Sequence, residues 1–315
     1  MIMNKMIKKF SLLLMALAFT VSFAFSCDEK GGGSMDHGPS EPGPMVSGPF
    51  DINTAVELMF LSLEAYQMLA DSNDGVEFTL PEPYELIIQF LTGESFLGTS
   101  LDVAVPIAFI ATKGNNIYVV FRGTKTIDEW ISDADFPLVP YPPVSNGGMT
   151  EKGFTDIYES LGVVDEINQL ARMGKFENVF VTGHSLGATL AVLAIPDIIE
   201  HTDFKNPVMY SFAGPRAGNS DFMGLYDGFG ITSWRVFNTN DEVPKLPPED
   251  LSYVHVDTGE PITFGKPITD PLDFDQIEFN HSSCNYYSTL CDMTDDAKLC
   301  KDMGEGLDDC MFDTM

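Results

Sequence analysis

The chain is poor in positive charge. Its 315 residues carry 17 Lys+Arg against 47 Asp+Glu, a formal net charge of -30. So acidic a surface repels phosphate backbones, which excludes nucleic acid as an expected partner, and it disfavours anionic lipid headgroups. Cysteine is scarce, with five in all. None forms a C-x-x-C pair and no histidine lies beyond Cys284, so a zinc site is not expected. No D-x-D-x-D-G loop of the calcium-binding kind occurs, and no internal repeat. No cofactor or metal is therefore implied. No apolar run reaches the roughly 20 residues that a membrane-spanning helix needs. What remains is a chain that is 44% hydrophobic, enough for a packed globular core.

The longest apolar run, residues 10–25, follows Lys5, Lys8 and Lys9. A basic start before a short apolar segment reads as a signal peptide over residues 1–26. "AFSC" at 24–27 resembles a bacterial lipobox with Cys27 as the lipidated residue, although Phe23 and Ala24 stand where Leu is usual. Ala24-x-Ser26 also fits an ordinary signal-peptidase site, so cell-envelope lipoprotein and secreted protein both stay open. Residues 27–49 are rich in Gly, Pro and Ser and read as a flexible linker, a tether to a membrane if Cys27 is lipidated. A globular domain is expected over 50–290. An acidic, solvated, disulfide-linked tail is expected over 291–315.

Within the domain, helical and extended patterns alternate. Asp51 is placed to cap a long helix. "VAVPIAFIATKGNNIYVVFRG" reads as two strands joined by a turn, and "FENVFVTG", "PVMYSFAG" and "ITSWRVFN" as buried strands. "LSYVHVDTG" and "EPITFG" read as a late antiparallel pair. The alternation predicts an α/β fold with a mostly parallel central sheet flanked by helices.

One junction carries chemistry. In "VFVTGHSLGATLAVLAI", Ser185 stands between Gly183 and Gly187 where a strand gives way to a helix. G-x-S-x-G in that context is a nucleophile elbow, in which small neighbours let strand and helix pass closely while the hydroxyl is exposed. A serine needs a base and an orienting acid, which follow it in the order acid, then histidine, in α/β-hydrolases. His255 and His281 qualify as base. His255 sits in an alternating strand pattern, whereas His281 sits in the irregular "EFNHSSCNYY", where a loop can aim it. Asp241 follows the strand "WRVFNTND"; Asp250 and Asp257 compete with it. His184 reads as structural.

With these residues in hand, the chain resembles the class 3 (fungal-type) lipases of the α/β-hydrolase superfamily. Seven blocks occur in the family's order over residues 105–290: "VVFRGTKTIDEWISD", "EKGFTDIY", "VTGHSLGATLA", "SFAGPRAGN", "RVFNTNDEVPKLPP", "YVHVDTGEPITF" and "HSSCNYY". The resemblance implies Ser185 as nucleophile, Asp241 as acid and His281 as base. It implies an oxyanion hole from Thr124 and the Leu186 N–H. It places a short lid helix after Thr124, with Ile127, Trp130, Ile131 and Ala134 on one apolar face; a helix docked permanently on the core is the alternative. The implied function is a serine carboxylic-ester hydrolase, a lipase acting on neutral acylglycerols at an interface through an acyl-enzyme. The alternatives are an esterase for feruloyl or short-chain esters, an acyltransferase, or a non-catalytic lipid-binding surface lipoprotein. Cys284, Cys291, Cys300 and Cys310 are expected to form two disulfides in one of three connectivities; Cys291 is the nearest candidate partner for Cys284, with Cys300 and Cys310 also open.

Overall fold

The computed structural model describes residues 48–93, 104–124, 136–256, 258–270 and 273–304. The expected lid residues Ile127, Trp130, Ile131 and Ala134 lie outside these, as do Cys27, Asp257 and Cys310.

The domain opens with α1 (Ile52–Asp74), capped by the Asp51 carboxylate, which accepts the Thr54 N–H. Three strands follow: β1 (Glu85–Gly93), β2 (Ala104–Lys113) and β3 (Asn116–Phe121). They pair antiparallel in that order. A small excursion comes next, the two-stranded ladder of β4 (Leu138–Pro140) and β5 (Met149–Glu151), then α2 (Lys152–Glu159) and α3 (Val163–Ala171). The chain returns to the main sheet in β6 (Asn178–His184), leaves by α4 (Leu186–His201), and continues through β7 (Val208–Phe212), α5 (Ser220–Gly228) and β8 (Thr232–Asn238). The last strand is β9 (Thr258–Ile262). Three helices close the described chain: α6 (Phe274–His281), α7 (Ser283–Met293) and α8 (Ala297–Gly304). The seven-stranded sheet runs β1-β2-β3-β6-β7-β8-β9, and every pairing from β3 onward is parallel.

Side chains alternate across a strand, so one sequence feeds two cores. In β3, Ile117, Val119 and Phe121 face the layer of α2, α3, α4 and α5, while Tyr118 and Val120 face the layer of α1 and α7. Parallel strands covered on both faces explain the near-continuous apolar runs of β3 and β6.

Three elements depart from the sequence reading. The late hairpin does not form: β9 pairs parallel with β8, and Val254 makes only an isolated bridge to Gly218. His281 is not in an irregular loop; it ends α6, whose first turn is capped by Asp273. The stretch from 291 to 304, expected as a solvated tail, completes α7 and forms α8, with Leu299, Cys300 and Met303 against the α1 core. Leu290 is fully buried there. Truncating such a leucine costs about 2–5 kcal/mol. Leu290→Ala is therefore expected to lower denaturant-unfolding stability by that amount, and an unchanged stability would contradict the packing of α7 into the α1 core.

Candidate active site

The site forms at the carboxyl ends of β6 and β8, the edge where open α/β sheets carry their ligands. Ser185 joins β6 to α4 with φ 58° and ψ -126°. A residue with a Cβ is strained in this region, at a cost of about 1–3 kcal/mol. Its N–H is held by the Phe212 carbonyl at 2.9 Å, and its own carbonyl accepts the Ala188 N–H at 3.0 Å. The flanking glycines are a steric requirement. A Cβ on Gly183 would run into the Gly187 backbone, and one on Gly187 would run into the Phe121 carbonyl. Strand, elbow and helix meet there with no room for a methyl group.

The structure brings Ser185, His281 and Asp241 together. His281 Nε2 lies 2.8 Å from Ser185 Oγ, and its Nδ1 lies 2.8 Å from Asp241 Oδ2. All three are buried. Asp241 follows the end of β8. Its Oδ1 accepts the Val243 N–H at 3.0 Å, and Oδ2 also accepts the Tyr286 hydroxyl at 3.0 Å. An acid so held accepts the imidazole Nδ1–H, which leaves Nε2 unprotonated toward the serine.

Thr124 follows β3 and approaches the same corner. Its Oγ1 is buried without a hydrogen-bond partner, an expensive condition unless a ligand supplies one. Leu186 opens α4, and the N–H of a first helical residue has no acceptor within its helix. Arg122, almost wholly buried, donates to the Pro106 carbonyl at 2.8 Å and the Gly123 carbonyl at 2.6 Å, which fixes the backbone leading to Thr124.

Several supporting residues were not read from the sequence. Tyr286 comes from α7, on the far side of the acid. Burial, and then the Asp241 charge, hold its hydroxyl well above the usual tyrosine value, so it stays a donor to the carboxylate. Tyr66 of α1 lies against the Nδ1 of His184 at 2.9 Å and fills the space a side chain at Gly123 would need. The His184 ring lies tilted against that of His281, with centroids 4.8 Å apart. Burial, and then His281 beside it, push His184 well below the ordinary histidine value, so this neighbour of the base stays neutral. His255, the competing base, is turned away: its Nε2 donates to the Pro244 carbonyl at 2.6 Å. Asp250 belongs to a short 3-10 turn, Glu249–Leu251, and takes no part in the cluster. Only the "NYY" following His281 hinted at Tyr286. Contacts arriving from another element have no local signature.

Of the cysteines, Cys291 pairs with Cys300, not with Cys284. Cys284 is itself disulfide-bonded.

A strained serine elbow with histidine and acid in line, on a parallel sheet flanked by helices, defines an α/β-hydrolase fold. Residues 118–251 match the family model described as Lipase (class 3). A lipase of Rhizomucor miehei is 36% identical over 159 residues, covering 49% of this chain and 43% of its own. The secreted mono- and diacylglycerol lipase A of Penicillium cyclopium is 32% identical over 152 residues, covering 47% and 49%. The chain thus spans less than half the length of these curated relatives. A solved triacylglycerol lipase, described as having a serine-protease triad at its catalytic centre, superposes with a TM-score of 0.58. It is 30% identical, over 68% of this chain and 81% of that one. The chain belongs to the class 3 lipase family.

His184 and the partly buried His255 set an acid limit to stability. Burial, and then the Arg235 and Arg216 guanidiniums, push His255 down to about 3. An unfolded histidine titrates near 6.5. Below that pH the unfolded chain takes up protons that native His255 and His184 refuse, so stability falls as pH drops from about 6.5 toward 3. His255→Gln keeps a neutral donor and is expected to flatten part of this decline in denaturant titrations between pH 7 and 4. Parallel curves for the two proteins would contradict the assignment.

Proposed function

We propose that the protein is a serine carboxylic-ester hydrolase that cleaves acylglycerols through an acyl-enzyme. The observation that carries this reading is the unbroken line of hydrogen bonds Asp241–His281–Ser185, ending on a serine in a strained turn. In the proposed reaction Ser185 Oγ attacks the ester carbonyl as His281 Nε2 accepts its proton. Asp241 holds the imidazole in register and stabilises the imidazolium. The tetrahedral oxyanion is taken up by Thr124 Oγ1 and the Leu186 N–H, with the N-terminus of α4 favouring the negative charge. His281 then returns the proton to the departing alcohol. Water, deprotonated by the same imidazole, releases the acid. No step calls for a cofactor.

The lipid assignment draws on the relatives, whose names specify lipase and mono- and diacylglycerol lipase. It draws also on the spacing of Ile127, Trp130 and Ile131, which on a helix offers one apolar face to lipid. The excess of acids favours neutral acylglycerols over anionic phospholipid. An exported protein, with residues 27–49 as a linker and Cys27 as its point of lipidation, fits the signal-like N-terminus. The Cys291–Cys300 bond supports an oxidising compartment.

Ser185→Ala is expected to abolish hydrolysis of p-nitrophenyl esters and emulsified triacylglycerol by several orders of magnitude, with unfolding unchanged. Retention of more than about a hundredth of the rate would remove Ser185 from the mechanism. Thr124→Val keeps the shape and removes the hydroxyl. It is expected to lower kcat by about 10²–10³ with little change in KM, and an undiminished kcat would leave the oxyanion to backbone donors alone.

A further inference from the structure

The hydrogen bonds of the His281 ring go to Ser185 and Asp241, the bonds that reorganise during the proposed reaction. Something else must hold the backbone that carries the ring. Asn280, the preceding residue, is fully buried. Its Nδ2 donates to the Asn240 carbonyl at 2.8 Å and to the Lys266 carbonyl at 2.8 Å, and its Oδ1 accepts from Gln276 Nε2 at 2.9 Å. The tie is reciprocated. Asn238 Nδ2 donates to the Asn280 carbonyl at 2.9 Å, while Asn238 Oδ1 accepts the N–H of Asn240 and of Phe264, each at 3.2 Å. Asn240 Nδ2 donates to the Phe264 carbonyl at 2.9 Å. These bonds join the end of β8, the turn that carries Asp241, the strand exit at 264–266 and the helix that carries His281.

We propose that Asn280, with Asn238 as its counterpart, is a positioning residue: a buried amide clamp that sets the imidazole of His281 against the carboxylate of Asp241. This rests on the reading of Ser185, His281 and Asp241 as a triad. Neither amide reaches the serine or the imidazole ring. Their polar atoms go to the backbone of the acid turn, of the base-bearing helix and of the strand exit at 264–266, and to the Gln276 side chain. The chemistry requires an amide at 280, since two carbonyls 2.8 Å away demand two donors. Aspartate, of the same shape, would set lone pairs against them. A base displaced by about 1 Å can cost a hundredfold in rate.

The test compares Asn280→Asp and Asn280→Ala with Thr239→Val. Thr239 Oγ1 meets Thr263 Oγ1 at 2.9 Å, an exposed bond that ties the end of β8 to the chain after β9 without reaching the helix that carries His281. kcat and KM on a soluble p-nitrophenyl ester are measured well below each melting transition, together with ¹⁵N shifts of the His281 ring. The clamp predicts a fall in kcat of about a hundredfold in both Asn280 variants, with KM within about twofold of wild type and no loss in Thr239→Val. It also predicts that the Nδ1 shift moves away from its carboxylate-bonded value. Where Asn280→Ala does not fold, Asn280→Asp and Asn238→Ala carry the same readouts. Wild-type kcat, a loss confined to KM, or an equal loss in Thr239→Val overturns the clamp. An unchanged Nδ1 shift overturns it whatever the activity. If the hydrolase reading itself failed, wild type would be inactive, and the ring shift would still decide the clamp.

Discussion

Everything at the site depends on one contact between backbones. Gly187, in the first turn of α4, lies so close to the Phe121 carbonyl that neither it nor Gly183 can carry a side chain. This closeness presses the carboxyl end of β3 against the start of α4. The next three residues, Arg122, Gly123 and Thr124, must therefore pass beside the elbow. The contact that bends the chain at Ser185 thus also sets the course of the backbone to Thr124, whose hydroxyl is buried without a partner. The proposed oxyanion donors and nucleophile come from one steric decision.

A strained turn and a buried cluster of polar groups are costly, and the surrounding layers offset that cost. α4 is apolar nearly all round because it is packed between the sheet and α2, and its buried face pins the turn at its own start. On the opposite face α1 and α7 pack together and supply Tyr66 and Tyr286. The C-terminal helices are thus part of the site's support. Tyr286 bonds the acid while Leu290, one turn further on, is sealed into the core. Asn238 and Asn280 complete the frame by tying the acid turn to the base-bearing helix.

The sequence made legible what is local. Ser185 was found because its constraint is steric and lies within five residues. Asp241 was found because it follows an obvious strand. Helix α1 was found from its cap and its period. A strand at "EPITFG" is legible but its partner is not: the alternation of "YVHV" points to a hairpin strand that does not form, and β9 pairs parallel with β8 instead. Helix α6 was missed because Phe274 and Phe279 are left exposed on it, so its apolar residues do not follow a clean helical stripe. The pairing of Cys291 with Cys300 follows from the turn between α7 and α8, which nothing in the spacing dictated. The contacts of Tyr286 with Asp241 and of Asn280 with Asn238 and Asn240 join residues distant in sequence, and only the folded chain brings them together.

In the proposed reaction Ser185 becomes the acyl carrier because His281, held by Asp241, takes its proton. The most direct measurement is covalent capture with an alkyl p-nitrophenyl phosphonate, whose adduct mimics the tetrahedral intermediate, followed by intact-mass and peptide mapping. The account predicts one phosphonyl group per chain, on the peptide bearing Ser185, released with one equivalent of p-nitrophenol and absent after His281→Ala. A modification mapped to another serine, or an equally fast adduct on Ser185 without the histidine, would contradict it.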